Sequence, residues 1–318
     1  MSVYTPLTDN DARAFLRDYA LGDLESLKGI ESGVENSNFF LTTTTGEYVL
    51  TIFEKQSAAD LNFYLALMDY LAENGFSCPR PQPRFGEAKQ PMHYGMLHGK
   101  PATIVTKLPG AAIDHPTADD CHAVGRLLAH MHDLAVDFDM SMDNWRGAEW
   151  REFFAIQAAP KLTTAENELI ASENDFQARI NDADYPVGII HADLFRDNIL
   201  WAPDDEGGPG VIDWYFACDD LLLYDLAITV NDWCINPDAT IDRARHDAMV
   251  AGYRELRELE AGEAELWPAM LRRAALRTWL GRLGYNHFPQ AGEMVIKKDH
   301  GFSERLLRHH IAHAEPLK

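Results

Sequence analysis

The stretch GIIHADLFRDNIL, residues 188–200, puts His191, Asp193, Arg196, Asp197 and Asn198 into an otherwise apolar run. Charges placed among apolar residues are costly unless they are paired or put to use. The flanks read as extended chain. Val187–Ile190 is a buried apolar run, and the strand-like NILW and GVID are joined by the turn-rich PDDEGGPG, which makes a hairpin. The polar residues 191–198 therefore occupy the loop at one end of that hairpin. Asp213 ends GVID, twenty residues after Asp193.

That spacing matches the catalytic signature of protein kinases, H-R-D-L-x-x-x-N followed by a hairpin and an aspartate. Here His191-Ala192-Asp193-Leu194 is followed by Asn198, five residues after Asp193, and then by Asp213-Trp214. Phosphoryl transfer needs positioning and charge neutralisation more than covalent chemistry. In this pattern Asp193 accepts the proton of a substrate hydroxyl and aims it at the γ-phosphate of ATP. Asn198 and Asp213 hold Mg2+, an ion that prefers oxygen ligands, and His191 anchors the loop. The pattern leaves the roles of Arg196 and Asp197 open.

Working outward, the chain before this stretch is rich in strands. SNFFLTT (Ser37–Thr43) and EYVLTIF (Glu47–Phe53) form a β-hairpin. The preceding GIESGVENSN is dense in glycine and asparagine and implies a tight turn after an earlier strand. A helix follows at about residues 59–74, with Leu61, Leu65, Met68 and Leu71 on one face. TIVTK (Thr103–Lys107) is a short strand that ends at Pro109-Gly110.

Beyond that junction helices dominate. Thr117 and Asp120 make a capping box ahead of a stripe of Cys121, Val124, Leu128, Met131 and Ala135. Further helices are predicted at about 149–158, 164–180, 220–234, 240–258 and 263–284. The expected architecture is α+β and bilobal: residues 1–107 form a small antiparallel β-rich lobe that binds nucleotide, and residues 108–318 form a larger, mainly helical lobe for catalysis and substrate. Two lobes usually imply a cleft, and clefts hold ligands.

Composition sets the boundaries of function. The chain has 318 residues, 46% hydrophobic and 25% charged, as in ordinary globular proteins. A net charge of −22 repels phosphate backbones and argues against nucleic-acid binding. It also means that an anionic substrate needs a local cation, which Mg2+ supplies. No apolar run is long enough for a membrane span, and the N-terminus lacks a signal pattern. Cys78, Cys121, Cys218 and Cys234 form no C-x-x-C pair and read as reduced core residues. A cytoplasmic location is the expectation.

With these residues in view, the chain resembles the aminoglycoside-phosphotransferase and choline-kinase-like superfamily, small-molecule kinases with a protein-kinase-like fold. Ala192, standing where protein kinases carry arginine, is typical of that group. GVENSNFFLTTTTGEYVLTIFEK, FSCPRPQPR, IIHADLFRDNILW and VIDWYFACDDLLLYDLAITVNDWC narrow the resemblance to the homoserine kinases of this superfamily, over nearly the whole chain. The resemblance implies ATP-dependent phosphorylation of the L-homoserine side-chain hydroxyl, in threonine biosynthesis. It also makes Thr103–Lys107 the hinge, whose backbone at Thr103, Val105 and Lys107 bonds the adenine.

One departure lies in the β-rich lobe. Protein kinases carry a lysine on the third strand, and the simplest register of YVLTIFEK puts Thr51 there. Lys55 shares its strand parity and reaches the phosphates if the strand extends that far. The turn lacks G-x-G-x-x-G, so backbone N–H groups of Gly33, Asn36, Ser37 and Asn38 take its part. For the substrate, a carboxylate calls for arginine, and Arg277 and Arg282 lie in a late helix. An ammonium calls for carboxylates or aromatic faces; Tyr215, Asp220, Asp225, Asp232 and Trp233 follow Asp213. The alternatives are a kinase for choline, ethanolamine or an aminoglycoside, a pseudokinase-like nucleotide-binding module, and a metal-dependent phosphohydrolase.

Overall fold

A computed structural model describes residues 5–30, 36–85, 92–203, 208–287 and 300–318, without the side chains of Tyr285, His287 and His300. Two compact units emerge. One holds the described residues up to Ala111 together with Leu200–Ile212; the other holds Ala112–Ile199 and the described residues from Asp213 onward.

The first unit is built on a five-stranded antiparallel sheet. Its strands are β1 (Leu24–Gly29), β2 (Ser37–Thr43), β3 (Gly46–Ile52), β4 (Gly95–Leu97) and β5 (Lys100–Thr106), in the order β1-β2-β3-β5-β4. Alternation decides which face is dry. Phe39, Leu41, Leu50, Ile52, Ala102 and Ile104 point one way and pack on Ala12, Phe15 and Leu16 of α1 (Asp9–Leu16). Each fully buried Phe, Leu or Ile among them contributes roughly 1.5–3 kcal/mol. Helix α2 (Ala58–Glu73) opens with a Ser57–Asp60 capping box and buries the predicted Leu61, Leu65, Met68 and Leu71.

The hairpin of β7 (Ile199–Trp201) and β8 (Pro209–Val211) is tied to this unit by backbone bonds. The N–H of Val211 donates to the Ser77 carbonyl at 2.8 Å, and Ala111 and Trp201 exchange two bonds at 3.1 and 2.9 Å. Gly110, at φ +101°, makes room for that exchange: a Cβ there would fall 2.4 Å from the Trp201 carbonyl oxygen.

The second unit is helical. Helix α3 (Ala118–Leu134) carries the predicted Thr117–Asp120 capping box and crosses α7 (Arg243–Arg254) at close range. The approach depends on glycine, since a Cβ on Gly125 would sit 2.0 Å from the Met249 carbonyl oxygen. Helices α4 (Ala148–Ala158) and α5 (Thr164–Gln177) lead to β6 (Val187–Ile190), which pairs with β9 (Cys218–Leu221). Helix α6 (Leu222–Trp233) is buried almost throughout and packs on α8 (Glu263–His287). Helix α9 (His300–His313) completes a core of Trp279, Leu280, Leu283, Leu306 and Leu307. All four cysteines are buried thiols.

The sequence expectation lacks helices α1 and α9 and differs from this structure elsewhere too. The helix expected from residue 220 starts at Leu222, because Asp220 and Leu221 belong to strand β9 and pair with Gly188 and Val187 of β6. The helix expected at 240–258 is shorter at both ends. Strand β3 stops at Ile52, so Lys55 lies beyond it, exposed, and strand parity does not set its direction. Among the described residues no helix is long and apolar enough to cross a membrane.

Candidate active site

Strand β6 delivers the chain to His191, where a sharp turn begins. Ala192 adopts φ +61°, a region that L-residues rarely occupy. A buried carboxylate holds this turn: Asp225 of α6 accepts the N–H of His191 at 2.7 Å and of Ala192 at 2.9 Å. Asp225 is also 3.2 Å from Nε2 of buried His132, whose Nδ1 lies 2.8 Å from the Tyr253 hydroxyl. Burial opposes ionisation of Asp225, but the bond from His132 and the neighbouring His191 N–H outweigh it and hold the carboxyl below its ordinary range.

Within the loop, His191 Nδ1 accepts the N–H of Asp193 at 3.3 Å, and its ring meets the buried Trp214 edge-on with centroids 4.8 Å apart. The Asn198 amide nitrogen donates to the Asp193 carbonyl at 2.8 Å and lies 3.4 Å from its Oδ2. Arg277, buried on α8, stands 3.4 Å from Asp193 Oδ1. Asp193 thus has one carboxylate oxygen beside a guanidinium and the other beside an amide. With its nitrogen engaged by Asp193, Asn198 has its amide oxygen as the atom that could serve as a ligand. Asp213 is exposed and sits at φ +63°, an uncommon conformation of the kind found at functional sites.

Arg196 and Asp232 have structural parts that the motif left open. The Arg196 N–H and Nε reach Asp232 Oδ2 at 2.8 and 3.1 Å, and its Nη1 donates to the Asp114 carbonyl at 2.9 Å. Trp233 donates its indole N–H to the Leu194 carbonyl at 3.1 Å. Asp225, Asp232 and Trp233, expected beside an ammonium, are thereby engaged in shaping the loop.

Of the remaining substrate candidates, Tyr215 is half-buried in the turn after Trp214. Asp220 on β9 accepts from the Asn144 amide at 2.5 Å, and burial pushes its carboxyl above its ordinary value. Arg282 lies five residues along α8 from Arg277, about 140° around the helix, and its guanidinium is 5.9 Å from the Phe302 ring centre. The structure therefore brings Asp193, Asn198 and Arg277 together and places Arg282 against α9.

In the first unit, the nucleotide candidates sit in and beside the sheet. Ser37 Oγ accepts from the Thr5 N–H at 2.9 Å and donates to Glu54 at 2.6 Å; Glu54 in turn pairs with Lys100. The Asn38 side chain accepts from Thr51 Oγ1 at 2.8 Å, and that of Asn36 from the Glu54 N–H at 3.4 Å. These side chains are therefore spent on the sheet. Thr103 and Val105 are buried in β5, and Lys107 pairs with Glu47 at 3.0 Å. Gly33 lies outside the described residues.

Among the described residues no cluster of three acidic, cysteine or histidine ligands stands ready for a metal. Two oxygen donors, Asn198 and Asp213, fit an ion such as Mg2+, which takes few protein ligands and completes its shell with phosphate oxygens and water.

Comparison with known proteins adds three findings. The phosphotransferase enzyme family matches residues 26–259. Proteins named homoserine kinase are similar over the full chain: that of Methylobacillus flagellatus is 45% identical over 318 residues, covering 100% of this chain and 98% of the relative. That of Burkholderia multivorans is 45% identical over 328 residues with the same coverage. Among solved structures, an amicoumacin kinase in complex with AMP-PNP and Ca2+ superposes with a TM-score of 0.71 at 14% identity, over 96% of this chain and 92% of that one. The shared fold is protein-kinase-like.

Proposed function

Because the chain belongs to the phosphotransferase enzyme family, we propose that it transfers the γ-phosphate of ATP to the side-chain hydroxyl of L-homoserine, a step towards threonine. The observation that carries this reading is the Asp193 carboxylate, held between Arg277 at 3.4 Å and Asn198 at 3.4 Å on a loop braced by Asp225. The full-length likeness to proteins named homoserine kinase supports the acceptor.

In this reading the substrate hydroxyl gives its proton to Asp193. The hydroxyl oxygen forms a bond to the γ-phosphorus, the bond from that phosphorus to the β,γ-bridging oxygen breaks, and ADP leaves with the electron pair. General-base assistance of this kind is worth about 10²–10⁴-fold in rate. Arg277 and Asn198 set the direction of the carboxylate. Asn198 and Asp213 would hold Mg2+, which would supply the positive charge that an anionic nucleotide needs in an acidic chain. Backbone groups of Asn36, Ser37, Asn38, Thr103, Val105 and Lys107, with Gly33 and Lys55, serve the nucleotide. The reaction belongs in the cytoplasm, where buried thiols stay reduced.

The test is ADP formation by the purified protein with a panel of alcohols. L-Homoserine should give turnover well above the acceptor-free rate. Turnover of choline, ethanolamine or an aminoglycoside without turnover of homoserine would assign the site to another small alcohol.

A further inference from the structure

Three arginines are buried among the described residues: Arg151, Arg273 and Arg277. Two have anionic companions. Arg273 grips Asp182 with both terminal nitrogens, at 2.8 and 2.7 Å, and donates to Gln177 at 2.9 Å. Arg277 stands beside Asp193. Arg151 on α4 is only 7% exposed, yet its guanidinium has no hydrogen bond or ion pair, and its Nε is fully shielded. A buried guanidinium left in this state is strongly unfavourable unless something supplies an anion.

An opposite imbalance lies close by. Asp220 accepts the Asn144 amide at 2.5 Å and the Leu221 N–H at 2.7 Å, but no cation comes within ion-pair distance of it among the described residues. Tyr224 on α6 is 1% exposed, and its hydroxyl also lacks a hydrogen-bond partner. Arg151, Tyr224 and Asp220 lie within one another's electrostatic reach. The neighbourhood adjoins the Asp193 loop. Asn144 accepts the N–H of Arg146 at 2.8 Å, the Arg146 guanidinium is 4.1 Å from the centre of the Phe216 ring, and Arg277 lies 6.0 Å from the same centre.

Once Arg273–Asp182 and Arg277–Asp193 are paired off, one buried cation, one acid and one phenolic donor remain. Those are the complements of a zwitterion. We propose that Arg151, with the Tyr224 hydroxyl, receives the α-carboxylate of the acceptor amino acid, and that Asp220 receives its α-ammonium. This assignment rests on the homoserine reading above and deepens it. A guanidinium matches a carboxylate bidentately, and burial, which keeps the Tyr224 phenol protonated, makes it a donor. A site built to bond polar groups rejects analogues that lack them, so selection for an amino acid over a simple amino alcohol originates here.

Two analogues separate the charges. 3-Aminopropan-1-ol is homoserine without its carboxylate, and 4-hydroxybutyrate is homoserine without its ammonium. Affinities of L-homoserine and both analogues, the latter as inhibitors of homoserine-dependent ADP formation, are measured for the parent protein, Arg151→Met and Asp220→Asn. Arg151→Met should weaken homoserine and 4-hydroxybutyrate by about 10- to 100-fold, the range for a lost charge-assisted bond, and leave 3-aminopropan-1-ol unchanged. Asp220→Asn should weaken homoserine and 3-aminopropan-1-ol and spare 4-hydroxybutyrate. Equal losses for all three ligands would mean that the residues only support the fold, and the proposal would be wrong. If Arg151→Met fails to fold, Arg151→Lys, which keeps the charge, is read by the same contrast. A parent protein that phosphorylates choline or ethanolamine but not homoserine would instead overturn the homoserine reading itself.

Discussion

The carboxylate of Asp225 accepts the backbone N–H of His191 at 2.7 Å, although thirty-four residues of chain separate the two. The same carboxylate binds the next N–H and touches His132, so one fully buried side chain holds the left-handed turn that presents Asp193. Asp225→Ala leaves two buried N–H groups and a histidine without their acceptor. Breaking such an arrangement costs about 3–5 kcal/mol, and urea unfolding should show a loss of that order. Asp225→Asn, which keeps one acceptor oxygen, should be milder in stability and still slow turnover.

Asp193→Asn removes the proton acceptor and keeps the shape. Turnover should fall by about 10²–10⁴-fold, while calorimetry should find the affinity for ATP and Mg2+ within a few fold of the parent. An unchanged kcat would take the general-base role away from Asp193.

Asn198→Ala and Asp213→Ala each remove one oxygen donor. Both variants should need higher Mg2+ for half-maximal activity, and excess Mg2+ should restore part of the rate. Titration of activity against Mg2+ at saturating ATP reads this directly. A Mg2+ dependence identical to that of the parent would exclude the replaced residue as a ligand.

Acid stability should depend on His310. This residue is 2% exposed on α9, within 2.7 Å of Asn231 Oδ1, and burial pushes its imidazole down to about 3. The unfolded chain binds a proton near pH 6.5 that the folded chain refuses, so stability is retained above that pH and lost as pH falls from about 6.5 towards 3. His310→Gln removes this titration. From pH 7.5 to 5, the parent should lose on the order of 2 kcal/mol more than the variant. Some slope persists in the variant, because burial also lowers His246 and His93.

The catalytic loop was legible because its residues are local. Asp193, Asn198 and Asp213 stand at fixed offsets, and apolar flanks mark the strands on either side. Its supports were not legible as such. Asp225 and Asp232 looked like candidates for an ammonium, since no offset reveals that a helix carboxylate folds back onto a loop thirty-odd residues earlier. Arg151 carried no signal at all, because only burial without a companion distinguishes it from any helical arginine. The helix expected from residue 220 begins two residues later, because the pairing of β9 with β6 joins residues some thirty apart and leaves no local pattern. Helices α1 and α9 did carry readable signals: a Thr8–Asp11 capping box in one, and Phe302, Leu306 and His310 at helical spacing in the other.

The central claim is that this chain moves phosphate from ATP to an amino-acid hydroxyl. Phosphorus NMR of ATP, Mg2+ and L-homoserine with the purified protein tests it most directly. One phosphomonoester signal, coupled to the homoserine side-chain methylene, should grow in step with ADP and disappear in Asp193→Asn. ADP accompanied by inorganic phosphate alone would mean hydrolysis, and the homoserine assignment would fall.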